Sequence, residues 1–350
     1  MYLRTNLNSI FEDLIIFREL NVIKKDFPKF EKLKEILYLE KLPRKKDKDY
    51  ALFLSYIIDY VGDFNKVIYI GDTFLNDKSV IENLSKLNKY EVYGIITEGK
   101  GKLKKEDNIV INNYWENLKY IFNELNINFD KKTFIIADID KTLIGARGRN
   151  DLSIDKARFD AIREVSKKYI KDFNEELFFS IYKFLNRKEF HIFTEDNQDI
   201  VTLLAIAFNL NLYSFKKFIY EFENGIWKDK ISFFERVLYL NRDRNEFIEI
   251  IKECLYKMKN DDPTPFLEFR YKEFEATIKR IDFLSDETET EKLLSEEILI
   301  TKEVYQILIE GKENGSTIFG LSDKPEASTM PKENSKLPPI YKKKFKIFPK

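Results

Sequence analysis

Thr133-Phe134-Ile135-Ile136-Ala137-Asp138-Ile139-Asp140-Lys141-Thr142 decides the fold: an unbroken apolar run that ends in two aspartates two positions apart. A short run of this kind without polar alternation reads as a strand buried on both faces. Similar runs lie upstream, at Lys66-Val67-Ile68-Tyr69-Ile70 ending in Gly71-Asp72, at Val92-Tyr93-Gly94-Ile95-Ile96, and in the shorter Asn108-Ile109-Val110-Ile111. Helical periodicity fills the gaps, over Ala51 to Tyr60, Asn76 to Leu87 and Trp115 to Leu125. Far downstream, Ser316-Thr317-Ile318-Phe319-Gly320-Leu321 returns to strand character and ends at Ser322-Asp323-Lys324-Pro325. Strands alternating with helices predict an α/β protein with a doubly wound parallel sheet. In such sheets ligands bind beyond the carboxyl ends of the strands. Asp72, Asp138 and Ser322 all fall at such ends.

The remaining chain is organised around that core. Residues 1–40 mix apolar and charged positions at helical spacing, and Lys41 to Asp49 reads as a loop or a helix start. From about residue 155 to 312 strand signals largely vanish, so a helical domain is expected between two strands of one sheet. The predicted division is residues 1–150 with 313–350 as the α/β core and 151–312 as the helical insertion. The tail from Pro338 to Lys350 is basic and proline-flanked, and reads as a solvated or packed extension rather than a binding element.

Composition narrows the chemistry. Sixty basic residues balance sixty acidic ones, so no global field points to nucleic acid or a membrane surface. One cysteine, Cys254, and one histidine, His191, exclude thiolate or histidine-rich metal sites. A metal here is held by oxygen ligands, which favours a hard cation such as Mg2+. The first residues lack a signal-peptide pattern and no apolar run approaches spanning length. The expectation is a cytoplasmic protein.

Asp138 and Asp140 are two apart, so an extended backbone turns both carboxylates to one side. Such a pair repels itself unless a cation neutralises it, and Mg2+ can also clamp a phosphate. The bland alternative is an acidic turn at a strand end. Asp72 and Asp77 form a second acidic pair at a second strand end, where Gly71 permits close backbone approach. The ordinary reading of Asp77 is a cap for the following helix, with Asn76 as a competing cap. Ser322 supplies a hydroxyl at a third, with helix capping as its ordinary reading.

Together these residues resemble the haloacid dehalogenase superfamily of phosphatases and phosphotransferases. The family's Asp-x-Asp-x-Thr is matched by Asp138, Asp140 and Thr142, and its strand-end Ser by Ser322. Its Gly-Asp with a later Asp is matched by Gly71, Asp72 and Asp77. The resemblance implies a Rossmann-like core with a helical cap domain, the cap being residues 151–312. Motif order differs from the family's, as a circular permutation would produce. Sheet neighbours survive such a permutation when the original termini are close.

What the resemblance implies chemically is a Mg2+-dependent hydrolase acting on a small phosphorylated metabolite through an aspartyl-phosphate. Asp138 would be the nucleophile and Asp140 the acid and base. Asp138, Asp140, Asp72 and Asp77 would hold the metal. The family's lysine precedes the helix leading into the Gly-Asp strand. Lys46 is assigned to it with Lys45 on the substrate side; spacing does not separate the two, and Lys324 is a further candidate. Ser322 would hold phosphoryl oxygens, and Thr142, Arg147 and Arg149 would face the substrate. Gly145 and Gly148 around those arginines read as a hinge into the cap. His191 reads as an ordinary, partly buried side chain, and Thr194 with Asn197 as a helix start.

Two other classes compete. A glycosyltransferase also uses Asp-x-Asp to bind a metal and a sugar nucleotide, but leaves Asp72, Asp77 and Thr142 unexplained. A non-catalytic relative would serve as a binding module. Asp72 far from Asp138 would favour the glycosyltransferase.

Overall fold

The computed structural model describes residues 1–242 and 246–349. Residues 243–245 of the expected helical block and Lys350 of the basic tail lie outside the described residues. Ten strands are found among the described residues: β1 (Arg4–Thr5), β2 (Ile15–Ile16), β3 (Lys66–Gly71), β4 (Glu91–Thr97), β5 (Lys104–Glu106), β6 (Ile109–Asn112), β7 (Thr133–Asp138), β8 (Ile300–Thr301), β9 (Thr317–Leu321) and β10 (Phe345–Phe348). Seven form one sheet in the order β2-β9-β7-β3-β4-β6-β5, parallel throughout except where β5 runs antiparallel to β6. This is the mixed α/β architecture with a mostly parallel sheet that the strand pattern predicts.

The order follows from burial. Val67 to Ile70 of β3 and Phe134 to Ala137 of β7 are almost wholly buried, as continuous apolar strands must be when helices cover both faces. Helix Lys48–Val61 brings Phe53, Leu54, Ile57 and Ile58 into the same core as Val67, Tyr69 and Ile136. Helix Phe74–Ser85 adds Val80, Ile81 and Leu84. It lies so close to β4 that a Cβ on Gly94 would meet Ile81 at 2.5 Å, a close approach that only glycine permits.

The chain divides into two compact units. The first holds Met1–Ala157, Thr277–Thr329 and Lys336–Lys350; the second holds Arg158–Ala276 and Met330–Ser335. The predicted insertion therefore extends too far at its C-terminal end, because residues 277–312 cluster with the sheet. Ile300 pairs with Ile347 of β10 in a small second sheet, β1-β10-β8, and helix Lys302–Glu313 packs on β9. The tail is thus a packed extension, and Phe345–Phe348 within it forms a strand. Lys346 is fully buried in it and paired with buried Glu297 at 2.9 Å. The first forty residues are not simply helical: two-residue strands β1 and β2 flank helix Leu7–Phe11, and helix Phe30–Ile36 follows.

The second unit is helical, with phenylalanine at its centre. Phe193, Phe208 and Phe233 surround Phe218 with ring centroids 5.0 to 5.4 Å away. Buried Arg270 is neutralised within it by Asp199 and Glu273. Asn197 caps helix Gln198–Asn209 through Asp199 N, as expected, and His191 is half-buried against the Asn186 carbonyl. No helix among the described residues is long and apolar enough to cross a membrane.

Candidate functional site

β7 lies between β9 and β3, and the register sets Asp138 opposite Leu321 and Ala137 opposite Ile70. Three adjacent parallel strands therefore end at one edge, and the residues just beyond them meet there. All the residues described below belong to the first unit.

After β7 the chain turns tightly. Lys141 takes a left-handed φ of 61°, a conformation that a non-glycine residue adopts only at some expense. The turn is closed by Leu143 N on the Asp138 carbonyl and Ile144 N on the Ile139 carbonyl. It leaves Thr142 Oγ1 buried 3.5 Å from Asp138 Oδ2.

The carboxylates of Asp72, Asp77 and Asp138 are buried, each with an oxygen within 4.8 Å of the others'. Their partners divide them into two kinds. Asp77 Oδ2 accepts from Asp72 N at 3.0 Å and from Thr73 N and Oγ1 at 2.8 Å. Its Oδ1 accepts from Tyr69 Oη at 2.8 Å and Lys45 Nζ at 2.9 Å. A Cβ on Gly71 would meet this carboxylate at 2.5 Å. Asp77 is thus saturated by protein donors and shapes the loop after β3, leaving Asp72 and Asp138 as the available ligands.

Lys45 and Lys46 part company here. Lys45 is 3% exposed, with Nζ 2.7 Å from Asp138 Oδ1, 2.9 Å from Asp77 and 3.4 Å from Asp323. Lys46 is exposed. Of the two lysines, the structure therefore brings Lys45 and not Lys46 to the carboxylates, where the sequence assignment had placed Lys46. Asp47, the residue before helix Lys48–Val61, accepts from Arg44 N at 2.8 Å and fixes this stretch.

Asp140 is held from two sides, by Ser322 Oγ and by Lys324 Nζ at 3.0 Å. Ser322 Oγ also accepts from Lys324 N at 3.1 Å, a bond within the loop. The short helical turn Glu326–Ser328 starts after Pro325 without a side-chain cap, so Ser322 is not the helix cap of its ordinary reading. Arg147 Nε donates to Asp72 Oδ2. Arg149 turns elsewhere, onto Glu303 and Glu116, so the structure does not bring it to the cluster. Nor are Gly145 and Gly148 an open hinge. Gly145 N bonds the Leu299 carbonyl, and Arg147 N bonds that of Lys141; the two glycines serve positive-φ turns.

Two contributors escaped the sequence reading, and a third, Lys324, was a candidate for a different role. Tyr69 carried no signal beyond strand composition. Asp323 followed Ser322 at the same strand end and was open to suspicion. Lys324 is a positioner of Asp140, a role its spacing did not suggest.

Electrostatics follow from burial and crowding. Burial pushes the Asp138 carboxyl well above the usual range, with Asp77, Asp72 and Asp323 adding to it against Lys45. Burial and then Asp77 raise Asp72 to about 6 despite Arg147. For Asp77 burial acts upward, but Lys45 and the Thr73 bonds outweigh it and hold the group below its ordinary value. Lys45 is held well above its usual value because Asp138, Asp323 and Asp77 outweigh its own burial. Lys45, Arg147 and Lys324 face Asp72, Asp77, Asp138, Asp140 and half-exposed Asp323, so negative charge is in excess. An all-oxygen donor set with excess negative charge fits a hard divalent cation.

Comparison with models of known protein families, with curated proteins and with solved structures finds no match to this chain.

The raised carboxyls have a consequence for stability. The folded chain keeps protons on Asp72 and Asp138 to higher pH than the unfolded chain, and for Asp72, raised to about 6, folding binds a proton between about pH 4 and 6. Stability from Asp72 falls as pH rises through that window, whereas that from Asp77 is lost only as pH falls below it. For Asp72 alone the effect is on the order of 1 to 3 kcal/mol. With a chelator present, the melting temperature is expected to drop between pH 4.5 and 7, and to drop less in Asp72→Asn. Identical slopes in the two proteins would remove Asp72 from the account.

Proposed function

We propose that the chain is a Mg2+-dependent phosphoryl-transfer hydrolase of the haloacid dehalogenase type, acting on a small phosphorylated metabolite. The observation that carries the reading is the meeting of Asp72, Asp138 and Lys45 beyond adjacent parallel strand ends. A glycosyltransferase using only Asp138 and Asp140 does not call for Asp72 or Lys45 there.

Asp138 attacks phosphorus through Oδ2, the oxygen not bonded to Lys45. A carboxylate O–P bond forms and the ester P–O bond breaks. Asp140, held by Ser322 and Lys324, gives its proton to the departing alkoxide. It then takes a proton from water, whose oxygen bonds phosphorus as the acyl-phosphate O–P bond breaks, releasing inorganic phosphate and restoring Asp138. Lys45 orients Asp138 and balances charge on the transferring phosphoryl group. Asp138, Asp72 and the Asp140 backbone carbonyl would hold Mg2+, which when bound would supply charge neutralisation between an anionic nucleophile and an anionic substrate. The helical segment, by its place in the sequence between Asp138 and Ser322, is assigned substrate choice.

Hydrolysis of p-nitrophenyl phosphate tests the proposal. Turnover is expected with Mg2+ and is expected to fall at least tenfold when a chelator replaces it. Turnover indifferent to chelation would exclude the metal, and no turnover across a panel of sugar phosphates, nucleotides and phosphoglycolate would exclude the activity.

A further inference from the structure

Arg147 is built unlike the other cations of the site. Lys45 is buried and engages three carboxylates. Arg147 is about one-third exposed (31%) and touches Asp72 through Nε alone. Its two Nη atoms have no protein partner among the described residues, although a guanidinium is shaped to grip an anion with two parallel bonds.

Its backbone, in contrast, is fixed. The amide bonds the Lys141 carbonyl at 2.8 Å, and the carbonyl accepts from Trp115 Nε1 at 3.0 Å. A Cβ on Gly99 would meet that same carbonyl oxygen at 2.6 Å, and one on Gly148 would meet Gly99 Cα at 2.9 Å. Two glycine backbones thus press the loop after β4 against the arginine's own loop. Side-chain rotation is the motion left to Arg147, whose Nε rests on Asp72.

Asp72 has a 3% exposed side chain whose charge needs a neighbour. Arg147 supplies one, and a divalent cation bound there would compete for the same carboxylate. We infer that Arg147 serves two partners in turn: it neutralises Asp72 in the metal-free protein and, when Asp72 turns to a divalent cation, closes its fork on the phosphate of the substrate. This rests on the phosphoryl-transfer reading above and adds to it a forked grip on the substrate anion, which a hydroxyl at Ser322 and an ammonium at Lys45 cannot make. The exchange leaves charge balanced at each stage: the carboxylate gains the metal as the guanidinium gains the phosphate.

The consequence is a pair of effects of opposite sign. Arg147→Met removes the competitor of the metal and the clamp of the phosphate together. Titration of the protein with Mn2+ alone, followed by calorimetry, is expected to show binding tightened about threefold to tenfold. Titration of the Mn2+-loaded protein with inorganic phosphate is expected to show binding weakened about tenfold or more, since charge-assisted bonds are lost. With p-nitrophenyl phosphate the loss is expected mainly in KM. Arg147→Lys keeps the charge near Asp72 but lacks the fork, so Mn2+ affinity stays near wild type while phosphate binding is still reduced.

A residue that only supported the loop would weaken both affinities together, and that result would overturn the inference, as would unchanged phosphate binding in Arg147→Met. These arms need no turnover. An inactive wild type with the opposed shifts would keep the clamp and remove the hydrolase. Turnover in wild type without the opposed shifts would do the reverse. A wild-type chain that binds neither ligand would remove both.

Discussion

Asp138→Asn is expected to abolish turnover of an aryl phosphate, by about a thousandfold or more, while leaving the protein folded. The amide keeps the size of the carboxylate and an oxygen that can accept from Lys45, but it is a far weaker nucleophile and carries no charge. The substitution also relieves the crowding that holds the Asp138 carboxyl well above its ordinary range. Removing a buried charge beside Asp72 and Asp77 therefore does not destabilise the metal-free chain through these neighbours, although Lys45 loses part of its compensation. With a chelator present the melting temperature should equal or exceed that of the wild type near pH 7. With Mg2+ the ordering should reverse, because the variant has lost one of the two available ligands. Melting curves with and without metal, beside the rate assay, separate a lost nucleophile from a damaged fold. Undiminished turnover would remove Asp138 from the chemistry.

The residues of that prediction were legible in the sequence for a simple reason. An aspartate directly after a buried apolar strand has nowhere to go but the sheet's carboxyl edge. Lys66 to Ile70, Val92 to Ile96, Thr133 to Ala137 and Ser316 to Leu321 are long enough to declare themselves, and the structure moves their ends by one residue or so. What was not legible lacked a period. β1, β2 and β8 have two residues each, too few for any alternation. β5 is the exposed run Lys104, Lys105 and Glu106, which is a strand only because it closes a hairpin on β6. β10 hid within a basic tail because Lys346 is neutralised by Glu297, a partner 49 positions away.

The limits of the helical segment were misjudged for a related reason. Amphipathic periodicity reports that a face is buried but not what it is buried against. Helix Lys302–Glu313 has the same character as the helices of the second unit, yet it packs on β9. Arg147 and Arg149 show the same limit at the scale of side chains. They are two residues apart in one glycine-rich turn, and one reaches Asp72 while the other reaches Glu303 and Glu116.

Lys45 and Lys46 are the sharpest case, and substitution should separate them as sequence did not. Lys46→Met is expected to change turnover by less than about twofold and stability by less than about 0.5 kcal/mol, as for an exposed side chain. Lys45→Met strips the cation from Asp138 and Asp77, whose side chains are at most 5% exposed. Breaking a buried pair in this way costs about 3 to 5 kcal/mol, because the carboxylates are left uncompensated. The deficit should shrink as pH falls toward 4, since protonation removes the stranded charge. Mg2+ should recover part of it at pH 7 by replacing some of the lost positive charge. Turnover should not recover, because the lysine that orients Asp138 is gone; a loss of about a hundredfold or more is expected at saturating Mg2+. Lys45→Arg provides the control for charge alone. A longer, planar guanidinium keeps the positive charge but not the single ammonium set 2.7 and 2.9 Å from two carboxylates, so it should restore more stability than activity. Full activity in Lys45→Met at saturating Mg2+ would reduce this lysine to a structural counter-ion.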